Sequence, residues 1–306
     1  MEYKSIIIGG GLAGFTAAVY LARAGLKPLV IKGEKPSYHL TTTMEIDYFP
    51  GFLRGISGPD LLDNMFKQAE QFGAQVKIGD VYKVDLSKRP FRVWLEGWGE
   101  ISTETLIIAT GTTAKFLGIP GEKEFQGLGV STCAPCSAFF FRDKKVVVVG
   151  GGDSAMEEAI YLSHYAAEIT VINRTDKWRA SLAMLERARE IRKIQWLTNR
   201  TPLEVIAGDK GVKGLKVTNQ VSGLEERLDA DGVFIAIGSR PNTEFLANQI
   251  PLDEHGYVIV KPGTTETDIP GVFACGDVQD RRYRQILNAI GSGCMAALDC
   301  QRYYTR

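Results

Sequence analysis

Short, wholly apolar runs alternate with amphipathic stretches from the first residues of the chain onward. Ser5-Ile6-Ile7-Ile8 has the character of a strand buried on both faces, and Gly9-Gly10-Gly11-Leu12-Ala13-Gly14 follows it directly. Residues 15–24, rich in Ala, Leu and Val, predict a helix that stops at Gly25, and Leu29-Val30-Ile31 predicts the next strand. Strand, glycine turn, helix and strand within about 30 residues predict a βαβ unit.

The same pattern returns 141 residues later, with Gly9 set on Gly150. Residues 146–149 predict a strand, Gly150-Gly151-Gly152-Asp153-Ser154-Ala155 a turn, residues 156–167 a helix, and residues 169–172 a closing strand. In this superposition Ala18 falls on Ala159, Tyr20 on Tyr161 and Leu21 on Leu162. A second echo pairs Ile107-Ile108-Ala109-Thr110-Gly111 with Phe234-Ile235-Ala236-Ile237-Gly238, each reading as the late strand of a dinucleotide-binding fold. From about Thr243 on there are too few elements for an independent fold: a strand leading to Cys275-Gly276-Asp277, then a Gly-rich helix over residues 286–303. The expected fold is therefore α/β, with two Rossmann-like dinucleotide-binding domains, the second inserted into the first. The expected boundaries are 1–115, 116–243 and 244–306, with short hinges near residues 112–115 and 240–244.

Length agrees with this: 306 residues make room for about two domains. Thirty-six basic residues balance 36 acidic ones, so bulk charge selects neither nucleic acid nor an anionic membrane as partner. No apolar run approaches the ~18 residues of a membrane span, and no secretory leader pattern opens the chain, which points to a cytoplasmic protein. The five cysteines, an odd number, do not look like a secreted disulfide framework. Cys275 and Cys294 stand in apolar or small-residue runs where Cys usually acts as a small buried hydrophobe.

In the first turn Gly9 permits the tight bend, Gly11 lets the backbone approach a pyrophosphate and Gly14 lets the helix pack on the strand. The ribose-binding carboxylate expected about 20 residues on falls at Glu34. In the second turn Gly150, Gly152 and Ala155 form G-x-G-x-x-A, and Asn173 and Arg174, then Lys177 and Arg179, follow its second strand. Arginines at that position favour a ribose 2′-phosphate, hence NADP over NAD. Cys133-Ala134-Pro135-Cys136 reads as a redox pair or a metal site. Zinc needs about four ligands, and His39, His164 and His255 are scattered. A dithiol–disulfide couple is the better reading, with two buried structural cysteines as the other.

The order of these motifs resembles the low-molecular-weight thioredoxin reductases over essentially the whole chain. The resemblance is carried by residues 9–14, Leu40-Thr41-Thr42-Thr43 with Phe49-Pro50-Gly51, Ala109-Thr110-Gly111, the cysteine pair, residues 150–155 and residues 238–242. It continues through Gly276-Asp277, Tyr283-Arg284-Gln285 and the small-residue pattern of Gly291, Gly293, Ala296 and Ala297. It implies FAD on the first domain, with Leu40, Thr43, Ala109 and Gly111 among its contacts, Asp277 at the ribityl chain, and Arg284 and Gln285 on the flavin side. It further implies NADPH on the second domain, Cys136 facing the flavin, Cys133 attacking the disulfide of thioredoxin or a similar protein, rotation of the inserted domain, and a homodimer.

Four positions depart from the family's pattern. Its His-Arg-Arg-x-x-x-Arg is Asn173-Arg174-Thr175-x-x-x-Arg179 here, which weakens the 2′-phosphate clamp. The acidic residue after the second cysteine, a proton donor in the family, is Ser137. Ser37-Tyr38-His39 replaces a Gly-Gly-Gln stretch, and Tyr48 replaces an Asn. Tyr38, His39 or Tyr48 packing on the isoalloxazine would restrict nicotinamide access and suit another donor, such as ferredoxin. The alternatives to a reductase are a flavin-dependent dithiol oxidase and a non-enzymatic flavin redox sensor. The Phe139-Phe140-Phe141 run reads as core packing behind the cysteines, and residues 186–193 as an exposed helix face.

Overall fold

Apolar runs and glycine turns fold into β1 (Glu2–Ile8), α1 (Leu12–Arg23), β2 (Leu29–Lys32), α2 (Gly58–Gln71), β3 (Gln75–Ile78), β4 (Val81–Asp85), β5 (Phe91–Leu95), β6 (Gly99–Ile108) and β7 (Thr112–Ala114). The middle of the chain forms β8 (Val130–Ser131), α3 (Ala134–Ser137), β9 (Lys145–Val149), α4 (Asp153–Leu162), β10 (Glu168–Ile172), α5 (Leu182–Arg189), β11 (Ile194–Leu197), β12 (Arg200–Gly208), β13 (Gly211–Asn219), β14 (Glu225–Asp229), β15 (Gly232–Ile235) and β16 (Ser239–Pro241). The chain ends with β17 (Val272–Ala274) and α6 (Ile286–Thr305). The computed structural model describes residues 2–34, 46, 48–208 and 211–305. Contacts divide the chain into a first unit, Met1–Thr113 with Arg240–Arg306, and a second, Ala114–Ser239.

In the first unit the strand order is β3-β2-β1-β6, all parallel, with β17 parallel to the end of β6 and the antiparallel β5 and β4 beyond its beginning. Alternate residues point to opposite faces of a strand, and here both faces are covered. Ile6, Ile8, Leu29, Ile31, Leu106 and Ile108 enter a core with Val93, Leu246 and Val272. Ile7, Val30 and Ile107 enter the other, with Phe15, Ala18 and Leu21 of α1 and Ala296, Ala297 and Cys300 of α6. Burial on both sides is why these strands read as unbroken apolar runs.

The second unit repeats the plan in the parallel order β11-β10-β9-β15-β8, with a separate antiparallel sheet β12-β13-β14. Val146, Val148, Ile169, Val171 and Phe234 pack with Met156 and Ala159 of α4. Val147, Val149, Ile172, Val233 and Ile235 pack with Val205, Leu215 and Val217 of the antiparallel sheet.

Three local expectations are corrected. The second βαβ helix runs Asp153–Leu162, not 156–167: it begins at the glycine turn, where the backbone leaves its extended conformation at Gly152. Residues 186–193 are not one helix face, because α5 stops at Arg189 and the Lys193 ammonium reaches back to the Ser163 and Ala166 carbonyls. Of the three phenylalanines only Phe141 is core, packed edge-on against Phe234, while Phe139 and Phe140 are 57% and 44% exposed. The short helical turns after Cys133 aim successive side chains around an axis, so three in a row cannot face one core.

Candidate active site

The parallel strands of the first unit end in register, with Ile8 opposite Ile31 and Ile108, and Ile108 opposite Ala274. Backbone bonds continue past the strand ends: Gly9 N–H donates to Ile31, Ala109 N–H to Ile8 and Cys275 N–H to Ile108. Gly9, Ala109 and Gly276 thus line one carboxyl edge, where ligands bind in open α/β sheets. Two glycines of the first turn are required because a β-carbon there would strike a backbone carbonyl oxygen. A β-carbon on Gly9, at φ +119°, would stand 2.2 Å from the Ala109 carbonyl oxygen, and one on Gly14 would stand 1.9 Å from the Gly9 carbonyl oxygen. Gly11 differs. Its backbone is ordinary, φ −92° and ψ −171°, and a β-carbon there would meet no described atom within 4 Å. The protein leaves an open cradle in front of the N-terminus of α1, whose first N–H groups receive no side-chain cap. That donor set fits a pyrophosphate.

The second unit repeats this geometry. Gly150 N–H donates to Ile172 and Ala236 N–H to Val149, and a β-carbon on Gly150 would lie 2.4 Å from the Ala236 carbonyl oxygen. Gly152 again has ordinary dihedrals, no side-chain cap and open space before it, and Ala155 is buried against the strand. Asn173 is buried at the end of β10, and its Nδ2 lies 2.8 Å from the Lys177 carbonyl oxygen and 3.1 Å from that of Thr175. The N–H groups of Arg179 and Ala180 both donate to the Gly151 carbonyl. The loop is thereby folded beside the turn, with Arg174 and Arg179 exposed on it. The Thr175 hydroxyl is directed to the Lys177 carbonyl, 3.1 Å away, so it replaces no guanidinium.

Cys133 and Cys136 form a disulfide with Cα atoms 5.3 Å apart, just beyond the end of β8 in the same parallel sheet. The turn around them is closely bonded. Cys133 N–H donates to Ser131 Oγ, Cys136 N–H donates to the Cys133 carbonyl, and Ala134 N–H donates to the Glu158 carboxylate at 2.5 Å. The Ser137 hydroxyl lies 2.9 Å from Ser131 Oγ and 3.1 Å from the Cys133 carbonyl oxygen. Its bonding is local, and a hydroxyl is no acid near neutral pH.

Other candidates are placed as follows. Glu34 is exposed at the end of β2, its N–H bonded to the Asp80 carboxylate. Gly111, at φ +63°, accepts from Asn242 N–H. Asp277 follows β17, and burial pushes its carboxyl up to about 6, against the pull of the Arg284 guanidinium and with a further push from Asp280. Arg284 holds a left-handed backbone, φ +45°, and Gln285 precedes α6. Tyr48 packs half-buried against the α1 side of the sheet. Tyr38, His39, Leu40 and Thr43 lie outside the described residues. Burial holds the Cys275 thiol up at about 12 and raises that of Cys300, so neither is a nucleophile. Cys294 is only half-buried, because α6 turns it toward Tyr20, not into the core. Sequence reasoning missed Glu158: within Met156-Glu157-Glu158 it looks like any solvated helix position, and only the packing of α4 brings it to the cysteine turn.

The sequence matches the pyridine nucleotide-disulphide oxidoreductase family over residues 3–293. It is 49% identical to a thioredoxin reductase of Mycolicibacterium smegmatis over 298 residues, covering 97% of this chain and 95% of that one. It is 45% identical to a bifunctional thioredoxin reductase/thioredoxin of Mycobacterium leprae over 302 residues, covering 98% of this chain and 66% of that protein. Among solved structures, a thioredoxin reductase from Giardia duodenalis superimposes with a TM-score of 0.95 at 38% identity, covering 100% of this chain and 99% of that one. These relatives give no support to the oxidase or the sensor reading. With its two Rossmann-like folds and its cysteine pair, the chain belongs to the thioredoxin reductase family of pyridine nucleotide-disulphide oxidoreductases and is an oxidoreductase enzyme.

Proposed function

We propose that the protein is a flavin-dependent thioredoxin reductase that draws electrons from NADPH and delivers them through Cys133 and Cys136 to the disulfide of thioredoxin. The carrying observation is the closed cysteine pair at the carboxyl edge of the second nucleotide-binding fold, with the exposed Phe139 and Phe140 immediately after it. In this reading Gly11 faces the FAD pyrophosphate on a turn that Gly9 and Gly14 shape, Glu34 holds its ribose, and Asp277 the ribityl chain. Ala109, Gly111, Arg284 and Gln285 stand on the flavin side. Gly152 faces the NADPH pyrophosphate on a turn that Gly150 and Ala155 shape, and Arg174 and Arg179 hold its 2′-phosphate. When bound, FAD supplies a two-electron relay between a nicotinamide hydride and a disulfide.

The chain's own chemistry is thiol–disulfide exchange. In the reduced pair the Cys133 thiolate attacks one sulfur of the substrate disulfide, forming a mixed disulfide and releasing the other substrate sulfur as thiolate. The Cys136 thiolate then attacks Cys133 Sγ, re-forming the internal disulfide and releasing the second substrate sulfur. Two electrons reach the substrate, and with Ser137 in place of an acid the released thiolates take their protons from water. Phe139 and Phe140 provide an apolar contact suited to a protein substrate. The name of the M. leprae relative pairs reductase and thioredoxin in one polypeptide, which supports thioredoxin as that substrate.

The test is NADPH-driven reduction of thioredoxin by the purified flavoprotein. Cys133→Ser and Cys136→Ser should each abolish turnover while NADPH still bleaches the flavin. Phe139→Ala should raise KM for thioredoxin about tenfold with kcat nearly unchanged. Protein that cannot be reconstituted with FAD, or turnover surviving either Ser substitution, would sink the reading.

A further inference from the structure

Glu158 makes a contact that the exchange chemistry does not use. It projects from α4, and its Oε2 accepts the Ala134 N–H at 2.5 Å, in the peptide directly after Cys133. The Ala134 side chain is fully buried in the core beneath α4, so this peptide is held from two sides. A hydrogen bond to an ionised acceptor is about twice as strong as a neutral one. Two consequences follow for the reduced pair. The Ala134 N–H, committed to a carboxylate, cannot turn to a Cys133 thiolate, and an anion stands one peptide away; both disfavour that thiolate. The pinned turn also keeps the two cysteines near their closed-ring geometry after the S–S bond is broken, which favours reclosure.

We propose that Glu158 is a positioning residue that makes the Cys133–Cys136 dithiol a stronger reductant. This rests on the cysteine pair being the redox couple of the proposed reductase. The couple is a disulfide plus two electrons and one proton against a Cys133 thiolate and a Cys136 thiol. Glu158 forms and breaks no covalent bond in it. It raises the free energy of the reduced form relative to the oxidised one.

The flavoprotein, equilibrated with mixtures of reduced and oxidised dithiothreitol, is acid-quenched and alkylated, and the Cys133–Cys136 peptide is read by mass spectrometry. Glu158→Gln keeps an acceptor oxygen and removes the charge. Its equilibrium should shift about tenfold toward the dithiol, some ~30 mV more positive, with flavin content unchanged. Iodoacetamide should alkylate the reduced variant faster than the reduced wild type at neutral pH. An unshifted potential overturns the proposal. Glu158→Asp, which keeps the charge but withdraws it by one methylene, should move the same way by less, and serves if the Gln variant does not fold; if it too is unmoved, the proposal is wrong. Should the wild-type pair show no reversible two-electron equilibrium at all, the reductase reading itself fails and takes this inference with it. A reversible couple indifferent to Glu158 removes only the inference.

Discussion

Gly11→Ala separates the glycines that the fold needs from those that a ligand needs. The methyl would enter space free of described atoms, on a backbone that alanine adopts without strain. In the apoprotein two small terms oppose. Alanine restricts the unfolded chain, stabilising by about 0.4–1 kcal/mol. It is also a poorer N-cap than glycine, by about 0.5–1 kcal/mol. The apoprotein midpoint should therefore stay close to wild type. Gly14→Ala is the control, because its methyl would lie 1.9 Å from the Gly9 carbonyl oxygen and the turn must shift to admit it. Overpacking of this kind costs about 1–3 kcal/mol, and each kcal/mol lowers Tm by about 2–4 °C in a domain of this size. FAD should respond in the other order: a methyl at Gly11 blocks close backbone approach to the pyrophosphate, weakening binding at least tenfold, about 1.4 kcal/mol. The assays are thermal unfolding of the apoprotein and FAD titration by fluorescence quenching. If Gly11→Ala binds FAD as wild type does, or unfolds as early as Gly14→Ala, the cradle argument is wrong.

Two further outcomes are expected. Asp277 titrates near 6 in the folded apoprotein against an ordinary value of 3.8, so the folded state holds its proton more tightly; the stability it contributes is present below about pH 4 and is lost as pH rises toward 6. Asp277→Asn should flatten that decline in a series of melts between those pH values, and superimposable profiles would refute the assignment. Arg174→Ala and Arg179→Ala should each lower kcat/KM for NADPH about tenfold and leave NADH nearly unaffected, since only the former carries a 2′-phosphate for a charge-assisted bond; equal losses with both nucleotides would show that the loop, not the phosphate, had been disturbed.

The two nucleotide-binding folds were legible because each strand is buried on both faces and each turn must place glycine where a β-carbon would strike backbone. Those demands act over a few residues and leave their mark in order along the chain, as in Ser5-Ile6-Ile7-Ile8 before Gly9 and in residues 146–149 before Gly150. The cysteine pair was legible for the same reason, since a disulfide across two intervening residues is a local event. Sequence alone therefore determined the repeated βαβ plan and the redox pair. It could not separate Gly9 and Gly14 from Gly11, because all three are the same letter and only the surrounding atoms show which methyl would collide. It could not say which of three consecutive phenylalanines enters the core, nor that Glu158 closes on the Ala134 N–H across 24 residues of sequence. Such contacts depend on how α4 packs over the cysteine turn, a matter of side-chain direction and burial that no periodicity encodes. Tertiary structure decided them because burial and hydrogen bonding are settled between elements, whereas the sequence pattern records only what each element requires of itself.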